Sequence, residues 1–243
     1  MRVLGKFEIP IAAPPVGKKP VQTWQLSTCP SRTWVQKHQQ FIRTEFYRKK
    51  TSKLSRQNTA MQFKLNLIAA ACEDMGIGIN GKLPWRLKSE MAFFTDMTTK
   101  TKEENKKNVV LMGRRTWECI PKKYRPLKDR INMVLTSQSL NLGDEAIVCS
   151  SISAALKFIS NSELKDRVEK IWVIGGGSVY KESMESPHFH RLYLTKIMKK
   201  FECDTFFPPI PSNLKRVQET TVPQGIQEEN DVRFEYQVYE KRE

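Results

Sequence analysis

IWVIGGGSVY, residues 171–180, sets four apolar residues, Ile171 to Ile174, directly before three consecutive glycines and a short helix-like segment. So short an apolar run, bounded by glycine, reads as a buried strand. The ten residues therefore spell strand, turn and helix. The same alternation extends in both directions. Candidate strands lie at 63–71, 108–113, 131–136, 146–150, 171–175 and 191–198, and candidate helices at 86–98, 114–119, 152–160 and 177–185. Strands alternating with helices predict a mostly parallel sheet covered on both faces. Two later strand-like stretches, 214–221 and 232–240, are separated by a polar turn region, which predicts antiparallel strands at one sheet edge. The expected fold is α/β: a single domain over 61–243 with a central, mostly parallel twisted sheet of about eight strands, an antiparallel C-terminal hairpin and about four flanking helices.

The glycines at 175–177 expose backbone N–H groups at the start of a helix, an arrangement that suits an anion. A tight strand-to-helix turn of no further function is the plain alternative. A second cluster, GIGINGKLPW at 76–85, matches G-x-G-x-x-G through Gly76, Gly78 and Gly81. Its context fails as a dinucleotide fingerprint. The third glycine should open a helix, yet Pro84 disfavours helical geometry at Leu83, and the next helix-like residue is near Arg86. No acid stands about 20 residues on, where a ribose would be read.

On the helix after Trp85, Leu87, Met91, Phe94 and Thr98 recur at helical spacing and predict one core-facing side. Glu90 falls among them. A buried acid is costly unless partnered, so Glu90 is either an edge-of-stripe surface residue or a desolvated carboxyl with a raised pKa. His188 and His190, in SPHFHR, read as a surface turn, because a metal site needs more ligands than these two.

The 243 residues suffice for one large domain with extras, and no run of 18 apolar residues predicts a membrane span. Five scattered cysteines (Cys29, Cys72, Cys119, Cys149, Cys203) with no C-x-x-C pair predict free thiols in a reducing compartment. The net charge of +15 is uneven. Residues 1–60 hold 12 Lys/Arg and two acids, whereas 61–243 hold 29 Lys/Arg and 24 acids. With Pro10, Pro14, Pro15, Pro20 and Pro30 breaking any early helix, residues 1–60 read as a basic, disordered extension. Three uses stay open for it: an extension without function upstream of Met61, a mitochondrial targeting sequence, or an RNA-binding arm.

Together, MGIGINGKLPW, SEMAFF, VVLMGRRTWECIP, RPLKDRINMVLT, IWVIGGGSVY, LTKIM and CDTFFP resemble dihydrofolate reductase of the animal, insect-like type, from about Leu65 to Glu240. The resemblance implies an enzyme with NADPH as cofactor that transfers hydride to 7,8-dihydrofolate and gives 5,6,7,8-tetrahydrofolate for one-carbon metabolism. It also implies a cytoplasmic monomer that binds folate and antifolate inhibitors, with no metal and no membrane. GIGINGKLPW then resembles the family's mobile active-site loop, and its glycines would serve hinge motion and close backbone approach.

The catalytic group implied is Glu90, Trp85, Thr195 and Tyr180. Glu90 would accept hydrogen bonds from the pteridine amino group and ring nitrogen, Thr195 would support it, and Trp85 would order a water. The substrate would further meet the carbonyls of Ile68 and Ile174, the ring-sandwiching Phe94, Ile120 and Leu127, and Met91 across the pocket. Arg130 would pair with the glutamate α-carboxylate. On the cofactor side, Ala70 and Ile77 would hold the carboxamide, with Gly76, Gly78, Gly81 and Lys82 in the loop around it. Gly175 and Gly176 would share a cis peptide, and Gly176, Gly177, Ser178, Val179 and Tyr180 would line the diphosphate. Gly113, Arg114, Arg115, Thr116 and Thr136 would serve the adenosine half. Ser137 and Gln138 follow Thr136 where many relatives have an Arg, which predicts a weaker preference for NADPH over NADH. Met91, where relatives often have an aromatic, leaves antifolate sensitivity open. Two other classes are weighed against this one: a reductase of the same fold acting on another pterin-like or ribityl substrate, and a nucleic-acid binder whose affinity falls steeply with salt.

Overall fold

The computed structural model describes residues 63–242. The extension, its three uses and the Met61 start lie outside the described residues. In chain order the elements are β1 (Leu65–Ala71), β2 (Gly76–Gly78), α1 (Lys88–Thr99), β3 (Lys107–Gly113), α2 (Arg114–Cys119), β4 (Arg130–Leu135), β5 (Ile147–Cys149), α3 (Ile152–Asn161), α4 (Leu164–Arg167) and β6 (Val168–Gly175). There follow α5 (Gly177–Glu185), β7 (Phe189–Ile197), β8 (Thr205–Phe206), β9 (Leu214–Val217), β10 (Ile226–Glu229) and β11 (Val232–Lys241). A 3₁₀ turn, Lys122–Tyr124, links α2 to β4.

The main sheet runs β10-β11-β7-β1-β6-β3-β4-β5, with β9 also paired to β11. The strands from β7 to β5 are parallel to their neighbours, and β11 is antiparallel to β7, β9 and β10. Central strands are buried on both faces and therefore read as continuous apolar runs. On β3, Val109 and Leu111 join one core layer with Ile159 and Val173, while Val110 and Met112 join the other with Trp117 and Trp172. Helix α3 shows its origin plainly. The Ser151 hydroxyl accepts a hydrogen bond from the Ala154 N–H at 3.1 Å, and Ile152, Ala155, Leu156 and Ile159 face inward.

After β5 the chain returns to place β6 between β1 and β3, and β7 then lies on the far side of β1. The carboxyl ends of β1, β3 and β6 thus surround a change of winding direction, where open α/β sheets bind ligands.

Several expectations are corrected. Helix α1 starts at Lys88 and not at 86, where Pro84 and the Glu229 carboxylate fix its entry. Strand β6 begins three residues early, at Val168. Strand β9 stops at Val217, and the tight hairpin partner of β11 is β10, whose sequence IQEE is too polar to announce a strand. Asn230 and Asp231, at φ 54° and 58°, close that hairpin in the left-handed geometry that matches strand twist. His190 sits inside β7, half-buried, with Nδ1 3.0 Å from Asn66 Oδ1, so it is not part of a surface turn. A fifth helix, the single turn α4, was also not foreseen.

Candidate active site

The first turn of α1 carries Glu90. The helix projects Glu90 and Thr98 inward, while Met91 is 46% exposed. The core-facing stripe therefore does not include Met91; a carboxyl takes the inward position. Glu90 is only 5% exposed, and the Thr195 hydroxyl donates to its Oε1 at 3.5 Å. Burial pushes its pKa from the ordinary 4.5 up to about 7, against a smaller opposite pull from Thr195. Glu90 lines a groove of about 590 Å³ with Leu83, Trp85, Met91, Thr95 and Tyr124. Met91 thus belongs to the groove wall.

Sheet register assembles the floor. Ala70 of β1 pairs with Thr195 of β7, and Thr195 pairs with Tyr236 of β11. Tyr236 was not anticipated. Its ring lies 4.1 Å from that of Phe93, and burial, then the Glu90 charge, push its pKa up to about 12. Trp85 is 7% exposed and packs edge-on to Phe201 at 5.6 Å, with no partner for its Nε1–H among the described residues. A buried donor of this kind suits a water or a ligand acceptor. Tyr180 is buried beneath the same floor. Its hydroxyl donates to the Ile68 carbonyl at 2.7 Å, and burial, reinforced by Glu90, raises its pKa far above the ordinary range. It fixes a carbonyl and holds its proton. The carbonyl keeps a second lone pair for a ligand donor.

Phe94, Ile120, Leu127 and Ile174 are half-buried against the core layer that contains Trp85 and Tyr236. Arg130, at the start of β4, donates from Nη1 to Thr98 Oγ1 at 2.8 Å and from Nε to the Lys128 carbonyl at 2.9 Å. It makes no ion pair among the described residues. Asn132, also not anticipated, clips the preceding loop by exchanging hydrogen bonds with Leu127 N–H and C=O at 3.0 and 2.9 Å.

The opposite side is built from glycines. Gly113 and Gly176 are the N-caps of α2 and α5; neither end has a side-chain cap or a first-turn acid. Met112 pairs with Gly175, so both helix starts sit on neighbouring strand ends. Two uncapped helix N-termini side by side fit the diphosphate of a dinucleotide. The Gly175–Gly176 peptide is cis. A Cβ on Gly175 or Gly176 would stand 3.3 Å from Thr116 Oγ1, and one on Gly177 would stand 2.8 Å from the Phe206 carbonyl oxygen. Ser178 and Val179 follow in the first turn of α5. Because a carbonyl cannot yield as a flexible side chain can, Gly177→Ala is expected to cost about 2 kcal/mol of stability and to weaken dinucleotide binding. Urea midpoints and a binding titration would read both changes.

The other glycine cluster opens no helix. Gly76–Gly78 forms β2 against β8, and Ile79 and Lys82 exchange backbone hydrogen bonds at 2.9 Å around Asn80 and Gly81, with φ 49° and 71°. Ile77 is thereby held in a short strand, and Gly81 supplies a hairpin turn. The adenosine side lies at the ends of β3 and β4. Gly113 pairs with Leu135, so Arg114 and Thr136 lie on adjacent strand ends. Arg114 Nη1 meets both carboxylate oxygens of Glu118 at 2.7 Å, a competitor that sequence did not flag. Arg115, Ser137 and Gln138 are exposed.

A family model described as Dihydrofolate reductase matches residues 64–241. The chain is 50% identical over 185 residues to a dihydrofolate reductase of Heliothis virescens, covering 74% of this chain and 98% of that one. It is 48% identical over 181 residues to a dihydrofolate reductase of Drosophila melanogaster, covering 73% and 98%. Among solved structures, Schistosoma mansoni dihydrofolate reductase superposes with a TM-score of 0.67 at 38% identity, over 74% of this chain and all of that one.

Proposed function

The chain belongs to the dihydrofolate reductase family, and from that premise we propose that it reduces 7,8-dihydrofolate to 5,6,7,8-tetrahydrofolate in the groove beneath Glu90. Members of this family are NADPH-dependent oxidoreductases. One observation carries the proposal: the Glu90 carboxyl, buried and lifted to a pKa of about 7, lines a groove together with Trp85, Met91 and Tyr124.

NADPH supplies the hydride. The chain's own residues bind, orient and manage a proton. Glu90 would accept from the pteridine's amino and ring N–H groups, with Thr195 holding the carboxyl in place and Ile68 and Ile174 offering carbonyls to the same edge. Trp85 would fix a water beside Glu90 through its free indole N–H. The reduction consumes one proton, and a carboxyl poised near neutrality promotes protonation in the working pH range. Phe94, Ile120 and Leu127 would flank the aminobenzoyl ring, with Met91 at the groove wall. Arg130 would meet the glutamate α-carboxylate with the guanidinium edge it does not use on Thr98 and Lys128.

Gly176 to Tyr180 and the Gly113 cap would cradle the diphosphate, and Ala70 and Ile77 the carboxamide, with Gly76, Gly78, Gly81 and Lys82 shaping the loop between them. The remaining adenosine-side residues, Arg114 to Thr116 and Thr136 to Gln138, would surround the ribose phosphate. Arg114 must leave Glu118 to serve that phosphate. Arg114→Leu is therefore expected to raise the NADPH Kd about tenfold and leave the NADH Kd unchanged, the value of one charged hydrogen bond. Fluorescence titration with both cofactors checks this.

The test of the reductase reading is NADPH absorbance with and without dihydrofolate. Oxidation that requires dihydrofolate supports it. A folded, NADPH-binding protein without turnover would point to another pterin-like substrate.

A further inference from the structure

Cys72 follows β1 directly and is completely buried. Cys203 lies half-buried between β7 and β8, and its sulfur is 3.9 Å from that of Cys72. Gly76, where the active-site loop begins, is wedged against both. A Cβ there would stand 2.4 Å from Cys203 Sγ and 3.0 Å from Cys72 Sγ. The same place is already strapped by backbone bonds. Cys72 N–H donates to the Gly76 carbonyl at 2.9 Å, Asp204 N–H to the Gly78 carbonyl at 3.0 Å, and Phe207 N–H to the Met75 carbonyl at 2.8 Å. The Asp204 carboxylate accepts from Asn80 N–H at 2.7 Å. Segment 203–207 is thus the partner on which the loop's first strand rests.

We propose that Cys72 and Cys203 are a redox-modification site, at which a peroxide closes a disulfide that ties the start of the active-site loop to segment 203–207. The sulfurs must close to about 2 Å, a shift that side-chain rotation can supply over part of the gap and loop movement over the rest. The Cys203 thiolate, the more accessible of the two, attacks one oxygen of hydrogen peroxide. It becomes a sulfenic acid, and the other oxygen leaves as hydroxide, which takes up a proton to become water. The Cys72 sulfur then displaces the sulfenic oxygen, which departs as water with the Cys72 proton. Two thiols are oxidised and one peroxide is reduced to two waters. Burial and the neighbouring Cys72 raise the Cys203 thiol pKa, so the first step quickens as pH rises. In the linked state the backbone strap is covalent, and loop motion that accompanies turnover is restrained.

The experiment uses the full chain carrying Cys29→Ser and Cys119→Ser, which leaves the pair and the buried Cys149. Limited hydrogen peroxide is added, free thiols are alkylated, and peptides are mapped by mass spectrometry. The expected result is a peptide linking Cys72 to Cys203, with kcat several-fold lower and restored by dithiothreitol. Adding Cys203→Ser removes both effects. Sulfinic acid at Cys203 without a link, or linkage through Cys149, overturns the site. A complete link with unchanged kcat overturns the tether. Peptide mapping does not depend on turnover, so its failure is distinct from failure of the reductase reading on which the kcat effect rests.

Discussion

Replacing Glu90 by glutamine is expected to lower kcat/KM for dihydrofolate by about a thousandfold at neutral pH while making the protein more stable above pH 7. The first effect follows from removing the groove's buried proton-handling carboxyl, since such groups contribute roughly 10²- to 10⁴-fold. The second follows from linkage. The folded-state pKa of Glu90 lies near 7 against an ordinary 4.5. An acid with a raised folded pKa binds its proton more tightly in the folded state. Stability from that proton is complete below pH 4.5 and is lost as pH rises to about 7. The loss amounts to roughly 3 kcal/mol. Glutamine keeps the shape and never ionises, so its stability is flat through this window. Urea unfolding at pH 4.5 and pH 8 reads the difference, which should be small at the lower pH and favour the variant at the higher one. A variant that loses both activity and stability at pH 8 would mean that Glu90 is a structural ion and not a desolvated working acid.

Arg130→Leu is expected to raise KM for dihydrofolate by about a hundredfold with a much smaller change in kcat. Burial pulls the guanidinium pKa down, so its charge is held at some cost and lacks an ion-pair partner among the described residues. A ligand carboxylate would relieve that. Losing one half of such a pair costs about 2–3 kcal/mol. The split between KM and kcat matters, because a residue far from the reacting ring should alter binding and not chemistry. Equal loss in both would place Arg130 nearer the hydride path than its position at the start of β4 allows.

The parallel core was legible because apolar runs bounded by glycine leave few alternatives, as in 171–177. The edge was not. IQEE at β10 is held by backbone pairing to β11 and by the Asn230–Asp231 turn, neither of which needs apolar residues. Helical periodicity misplaced Met91 because it counts apolar side chains and cannot see that a groove, not core, lies against that side. The same blindness left Glu90 ambiguous, because the Thr195 hydroxyl that meets it comes from β7, far along the chain. Tyr236 and Glu229 were hidden for a simpler reason. Glu229 caps α1 from 140 residues away, bonding the Lys88 and Ser89 N–H groups at 2.7 and 2.8 Å, and Tyr236 reaches Thr195 only through sheet register. The decoy G-x-G-x-x-G was readable in advance, since Pro84 excluded a helix at Gly81. What local sequence omitted was the strand and hairpin that those glycines form instead.

The most direct measurement is the pH dependence of kcat/KM for dihydrofolate with NADPH saturating, in the parent and in Glu90→Gln. A plateau at low pH that falls through an ionisation near 7, absent from the residual activity of the variant, is the predicted result. The same inflection in both proteins, or no dihydrofolate-dependent oxidation of NADPH at any pH, would contradict the account.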